Sequence, residues 1–233
     1  MKILLICRGF APDNVIGAIR ITKLARYFSD AGHDVTVIRS GLIAGKPSLK
    51  NMEGLENICI YSYEGDEAPA ENFERGIDDS YTKPNSEIQN ERTNGFLKKT
   101  LHLFYDLFVF YYKDTKSVNN KIMNLYVEKV ESRGFDVVIS TFSPFGCILA
   151  GKQISRSENC KWIIDFRDLM TNTIFTPLLR FVNSFTQRHF VNQADAVFCV
   201  SIGNTDVLKK NVEIVRIKFI QFLTDMIKMT YFL

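Results

Sequence analysis

The sequence predicts an α/β fold, a parallel sheet with helices on both faces. Two observations carry this. Short runs rich in Val and Ile are apolar nearly throughout, the pattern of strands buried on both faces. Between them lie segments with the 3.6-residue periodicity of amphipathic helices, and this alternation is that of strand–helix–strand units.

The elements follow in order. Residues 2–7 (KILLIC) form a first buried strand. A loop with Gly9 and Pro12 leads to a helix in which Ile21, Leu24, Ala25 and Phe28 share one face, and Gly32 ends it. Residues 34–39 (DVTVIR) form a second strand and 57–61 a third. From Glu64 to Arg92 there are nine acidic and three basic residues, net −6. With few aliphatics, residues 64–95 cannot bury enough area to offset their ordering entropy, which predicts a mobile insertion. Residues 96–113, from Phe96 to Lys113, are the opposite: 12 of the 17 residues up to Tyr112 are hydrophobic. Residues 117–132 read as an amphipathic helix through Val118, Ile122, Leu125 and Val130. The rhythm then resumes with strands at 135–140, 161–165 and 196–200, and helices at 146–155, 177–192 and 204–210.

Composition narrows the function. With 29 Lys plus Arg against 26 Asp plus Glu, the net charge of +3 is no nucleic-acid footprint. Hydrophobic content of 46% excludes disorder, and no uncharged apolar run is long enough to span a bilayer. Five scattered cysteines without a CxxC pair fit a reducing compartment, and the N-terminal apolar run is too short for a signal peptide. These features predict a cytoplasmic protein. Three scattered histidines predict no metal site.

In a parallel sheet with right-handed crossovers, ligands bind where the strands' carboxyl ends open into loops. Three such loops are candidates. The first runs from Arg8 into the helix at Gly17, Ala18 and Arg20, where a glycine before a helix N-terminus suits a phosphate or makes a tight turn. It has neither the dinucleotide-binding glycine pattern nor a P-loop lysine. The second holds Ser143 and Pro144 before a helix, where Ser143 is expected to cap the helix or meet a ligand. The third is Asp165-Phe166-Arg167-Asp168. Charges so near a core must be paired or used. Arg167 is suited to a carboxylate or phosphate, and Asp165 or Asp168 to general-base work; the alternative is an internal Asp–Arg pair.

Four stretches in sequence resemble family 4 glycosyltransferases: Gly17-Ala-Ile-Arg20 with Leu24-Ala25-Arg-Tyr-Phe28 and Ala31-Gly32-His33-Asp34-Val35-Thr36-Val37-Ile38; Asp136-Val-Val-Ile-Ser-Thr; Trp162-Ile-Ile-Asp165-Phe-Arg167-Asp168-Leu169; and Ala194-Asp195-Ala196-Val197-Phe198-Cys-Val200-Ser201. The likeness covers about residues 1–210. It implies a Rossmann-like lobe of a two-lobed GT-B fold, the N-terminal, acceptor-binding half. The resemblance further implies a sugar moved from a nucleotide-sugar to a glycan or lipid-linked acceptor, without cofactor or metal. By resemblance, the loop at Gly17 faces the donor's phosphates, while Ser143 and residues 165–168 line the acceptor side.

Three departures qualify it. The family's glycine pair is reduced to Gly17-Ala18, and Ser143-Pro144 stands where some relatives carry a histidine, so no catalytic base transfers. Residues 211–233 match neither the family's linker nor its second lobe. They are expected to be an atypical, frameshift-derived tail or a last helix or strand, leaving the chain inactive alone or completed by a second lobe in trans. The aromatic segment 96–113 is expected either to touch the inner membrane face or to pack as a core helix. Two further readings stay open: a non-catalytic binding module, and an unrelated nucleotide-binding α/β protein.

Overall fold

The computed structural model describes residues 1–13, 16–43, 54–64, 67–68, 115–171, 177–211 and 218–221. The strands are β1 (Lys2–Ile6), β2 (Asp34–Arg39), β3 (Leu42–Ile43), β4 (Cys59–Ser62), β5 (Glu67–Ala68), β6 (Val137–Phe142), β7 (Lys161–Phe166), β8 (Ala196–Cys199) and β9 (Lys218–Gln221). The α-helices are α1 (Ile16–Asp30), α2 (Thr115–Leu125), α3 (Phe145–Ser157), α4 (Pro177–Val191) and α5 (Ile202–Asn211). Seven strands form one sheet in the order β4-β2-β1-β6-β7-β8-β9, with every pairing parallel. β3 and β5 form a separate short parallel pair.

The chain winds outward from β1 in one direction and from β6 in the other, so the order reverses between these adjacent strands. The carboxyl edge beside β1 and β6 is thus the switch point, the place where ligands of doubly wound sheets bind. Side chains alternate between faces along each strand. Ile3, Leu5, Val35 and Val37 pack with Ile21, Leu24 and Ala25 of α1. Leu4, Ile6, Val138, Trp162 and Ile164 pack on the other face with Ile122 of α2, Ile148 and Ile154 of α3, and Val191 of α4. The doubly covered sheet predicted from the apolar runs is therefore present.

Glycine sets two close approaches. A Cβ on Gly146 would fall 2.7 Å from Val118 Cβ and 2.8 Å from the Thr115 carbonyl oxygen, so α3 lies against α2 only because the side chain is absent. Gly32 has φ +80°, and its N–H bonds the Ser29 carbonyl, which closes α1 as its place in the sequence predicts.

Two differences from the sequence reading have physical causes. The strand expected at 135–140 lies at Val137–Phe142. Asp136 precedes it because its carboxylate accepts a hydrogen bond from the Lys2 N–H at 2.8 Å, fixing the entry beside β1. The helix expected at 117–132 is α-helical only to Leu125, then widens into a π-turn (Tyr126–Val130) and tightens to 3-10 (Glu131–Arg133). The widened turn buries Tyr126 and Val130 together, with the Tyr126 hydroxyl donating to Glu158. Lys218–Gln221 adds an edge strand in parallel register with β8, the strand alternative foreseen for the tail. Residues 69–95 of the acidic insertion, the aromatic segment 96–113 and residues 222–233 lie outside the described residues.

Candidate functional site at the switch point

Asp165 is the second-last residue of β7 and lies on the α1 side of the sheet, two residues beyond Ile163. Arg20, in the second turn of α1, reaches it. Nη1 donates to Oδ2 at 2.8 Å and Nη2 to Oδ1, a two-pronged pair. The Arg20 side chain is 18% exposed and Asp165 wholly buried. Burial pushes the Asp165 carboxyl above the ordinary carboxylate range, and the charges of Arg20 and Arg167 pull against it without cancelling it. With both oxygens engaged and no exposed surface, Asp165 offers no path to an incoming hydroxyl. Of the two candidate bases, Asp168 is the one open to solvent, 50% exposed.

Arg167 follows directly after β7. Its Nε donates to Asp168 at 2.8 Å, and its Nη1 lies 2.8 Å from where a Cβ on Gly17 would stand. Gly17 thus lets the guanidinium rest against the first turn of α1. Ala18 is fully buried in the core beneath it. Gly17 and Arg20 of α1, Asp165 at the end of β7, and Arg167 and Asp168 just after it therefore share one corner. An Arg beside a helix N-terminus is the chemistry of an anion site.

Ser143 and Pro144 continue β6 beyond Phe142, which pairs with Phe166, so this loop leaves the sheet beside Arg167. The peptide bonds on both sides of Ser143 are cis. The capping role considered for Ser143 is not the one observed. Pro144 is the N-cap of α3, no side chain caps it, and Ser143 is exposed. Pro144 occupies the cap with extended backbone, and its carbonyl takes the Cys147 N–H at 3.1 Å.

Several groups at this edge were not singled out from the sequence. Ser40 Oγ donates to Glu64 at 2.7 Å and Lys121 Nζ at 2.8 Å. Burial acts to raise the Glu64 carboxyl, but these two hydrogen bonds together with the charges of Lys121 and Arg8 outweigh it and hold it below the ordinary range. Arg39, at the end of β2, is buried, and its Nε and Nη1 have no hydrogen-bond partner among the described residues. Behind the Arg167 loop, Gln187 of α4 accepts the Met170 N–H at 2.8 Å and Asn183 donates to the Met170 carbonyl at 2.9 Å. Polar residues on a helix's inner face are a readable signal, since two buried amides need local partners. A shallow depression at the opposite edge, lined by Met1, Lys2, Asp34 and Asp136, holds no comparable constellation and lies at the amino ends of the strands, away from the switch point. Among the described residues no three His, Cys, Asp or Glu side chains are grouped to hold a metal.

Together the doubly wound sheet and its rim define a Rossmann-like lobe of the GT-B type. The chain is similar in structure to sucrose-phosphate synthase from Thermosynechococcus elongatus, with TM-score 0.52 and 12% identity over 95% of this chain and 48% of that one. A shorter structure of the same enzyme matches with TM-score 0.50 and 11% identity over 99% of this chain and 94% of that one. Anabaena HepE, in complex with UDP and glucose, matches with TM-score 0.46 and 12% identity over 95% of this chain and 44% of that one. The chain thus spans about half the length of the full synthase structure. No protein-family model and no curated protein sequence matches it. Among the described residues no helix is long and apolar enough to cross a membrane.

Proposed function

We propose that the chain is the acceptor-side half of a glycosyltransferase that moves a sugar from a nucleotide-sugar to a glycan or lipid-linked acceptor. The observation that carries this reading is the corner where Gly17 admits Arg167 to the start of α1, on the switch-point rim of a GT-B-type lobe. In this reading Arg167 and the start of α1 meet the donor's diphosphate, which leaves as the acceptor hydroxyl attacks the anomeric carbon. In the same reading Asp168 takes the hydroxyl's proton, while the Arg20–Asp165 pair ties α1 to β7. Ser143 and Pro144 edge the acceptor side. A second lobe supplies the remaining donor contacts, so this chain alone has little or no turnover.

The test is a nuclear magnetic resonance titration of the whole chain with inorganic pyrophosphate. Saturable shifts of the Gly17 and Arg167 amides, lost in Arg167→Gln, are expected. Shifts elsewhere, or none, overturn the assignment. Tight binding of a free nucleotide by the chain alone overturns it in favour of an unrelated nucleotide-binding protein.

A further inference from the structure

Helix α4 buries Phe190 and Val191 near its C-terminal end, but over the preceding turns its polarity is reversed. Its buried face carries two amides, Asn183 and Gln187, 1% and 2% exposed and committed to the Met170 backbone. Its outer face carries Phe181 and Phe185, one turn apart, 70% and 67% exposed. Arg188 lies a further turn along the same exposed stripe, with Arg180 and His189 beside it. The fifteen residues of α4 include no Asp or Glu.

We propose that this outer face docks on an anionic lipid bilayer. Paired phenylalanines bordered by arginines, without acids, match a surface with an apolar interior and negative headgroups. A second copy of the chain is a poorer match. The two rings at their observed exposure offer roughly 300 Å², against about 800 Å² per partner in a stable interface. Lipid needs no such area, because single rings insert between acyl chains while arginines stay among the headgroups. The inner amides hold Met170, three residues after Arg167, so the docked helix sets the site's third loop near the membrane surface. That consequence rests on the transferase reading; the docking itself does not.

Co-sedimentation of the whole chain tests this without donor or acceptor, so its failure and that of the transferase reading are separable. The chain pellets with vesicles of equal parts phosphatidylcholine and phosphatidylglycerol, several-fold less with phosphatidylcholine alone, and less as salt is raised. The double change Phe181→Ser and Phe185→Ser abolishes pelleting without shifting the thermal transition, and Arg188→Gln weakens it. Undiminished pelleting of the double variant, or none by the unaltered chain on anionic vesicles, overturns the proposal. So does a dimer that the two serines convert to monomer, which would make this face a contact between copies.

Discussion

Arg20 and Asp165 stand 145 residues apart in the chain and meet in a two-pronged ion pair that joins α1 to β7. Asp165 is wholly buried, so its charge depends on this partner. Removing either member strands the other in the core. Arg20→Ala and Asp165→Ala are each expected to cost about 3 kcal/mol. The double change Arg20→Met with Asp165→Leu should cost clearly less than the two single losses added together, because neither charge is left alone. Urea unfolding of the four proteins measures this. Additive losses would show that the two side chains do not depend on each other.

Gly17→Ala probes the same corner with little effect on the fold. Among the described residues the new methyl meets just the Arg167 guanidinium, the far end of a half-exposed, flexible side chain. Stability should change by no more than about 0.5 kcal/mol. The guanidinium must move, however, so the pyrophosphate response should weaken as it does in Arg167→Gln. An unchanged response with an unchanged fold would separate Gly17 from the anion site.

How far the sequence carried can be seen at this corner. Strands such as Asp34–Arg39 were legible because burial on both faces selects unbroken apolar runs. Arg167 and Asp168 stood out as charges directly after a buried strand. The Arg20–Asp165 pair did not, because it depends on which face Asp165 takes and on α1 lying over that face, neither of which is encoded locally. Glu64, Ser40 and Lys121 were missed for the same reason: they come from three separate segments, each ordinary by itself. The π-turn at Tyr126 was hidden because its apolar spacing also fits a regular helix. The grip of Asn183 and Gln187 on Met170 had a visible signal, amides on the inward stripe of an amphipathic helix.

Gly151→Ala should behave unlike Gly17→Ala. Its Cβ would fall 2.6 Å from both Cβ and Oγ of Ser140 and 3.0 Å from Trp162 Nε1. Those atoms form a buried hydrogen bond, Trp162 Nε1 to Ser140 Oγ at 2.9 Å, between the two central strands β6 and β7. Ser140 cannot retreat, because its Cβ is fixed to the strand. The expected cost is about 1–3 kcal/mol, read as a lower midpoint in urea. A neutral result would mean that α3 shifts freely on the sheet.

The five thiols should react in an order set by burial. Cys7 and Cys147 are buried, and burial pushes Cys7 well up and Cys147 to about 12. Cys199 is also buried and raised to about 11, chiefly by desolvation. Cys160 is only partly buried, yet desolvation and Glu158 raise it to about 11. Since the thiolate is the nucleophile, these four are nearly inert near neutral pH. Partly exposed Cys59 should be alkylated first in the native protein, and all five should react in urea. Mass mapping after brief iodoacetamide exposure checks this, and early labelling of Cys7 or Cys147 would contradict the packing of β1 against its neighbours.

Acid should release the Glu64 tie between the ends of β2 and β4 and helix α2. Glu64 is held below its ordinary value in the folded protein, so the folded state binds this proton less readily than the unfolded chain. Its contribution is present above the ordinary value of 4.5 and is lost as pH falls through the depressed folded value. Lys121 is 45% exposed, so solvent screens its share, which should be about 0.5 kcal/mol. Ser40 is buried, and Ser40→Ala should cost about 1 kcal/mol at neutral pH. The combined change Ser40→Ala with Lys121→Met removes the main groups that depress Glu64, leaving only the charge of Arg8, so the loss of stability between pH 5 and pH 3 should be smaller than in the unaltered chain. Urea midpoints across that range decide it. Equal acid sensitivity in the two proteins would place the acid response in carboxylates other than Glu64.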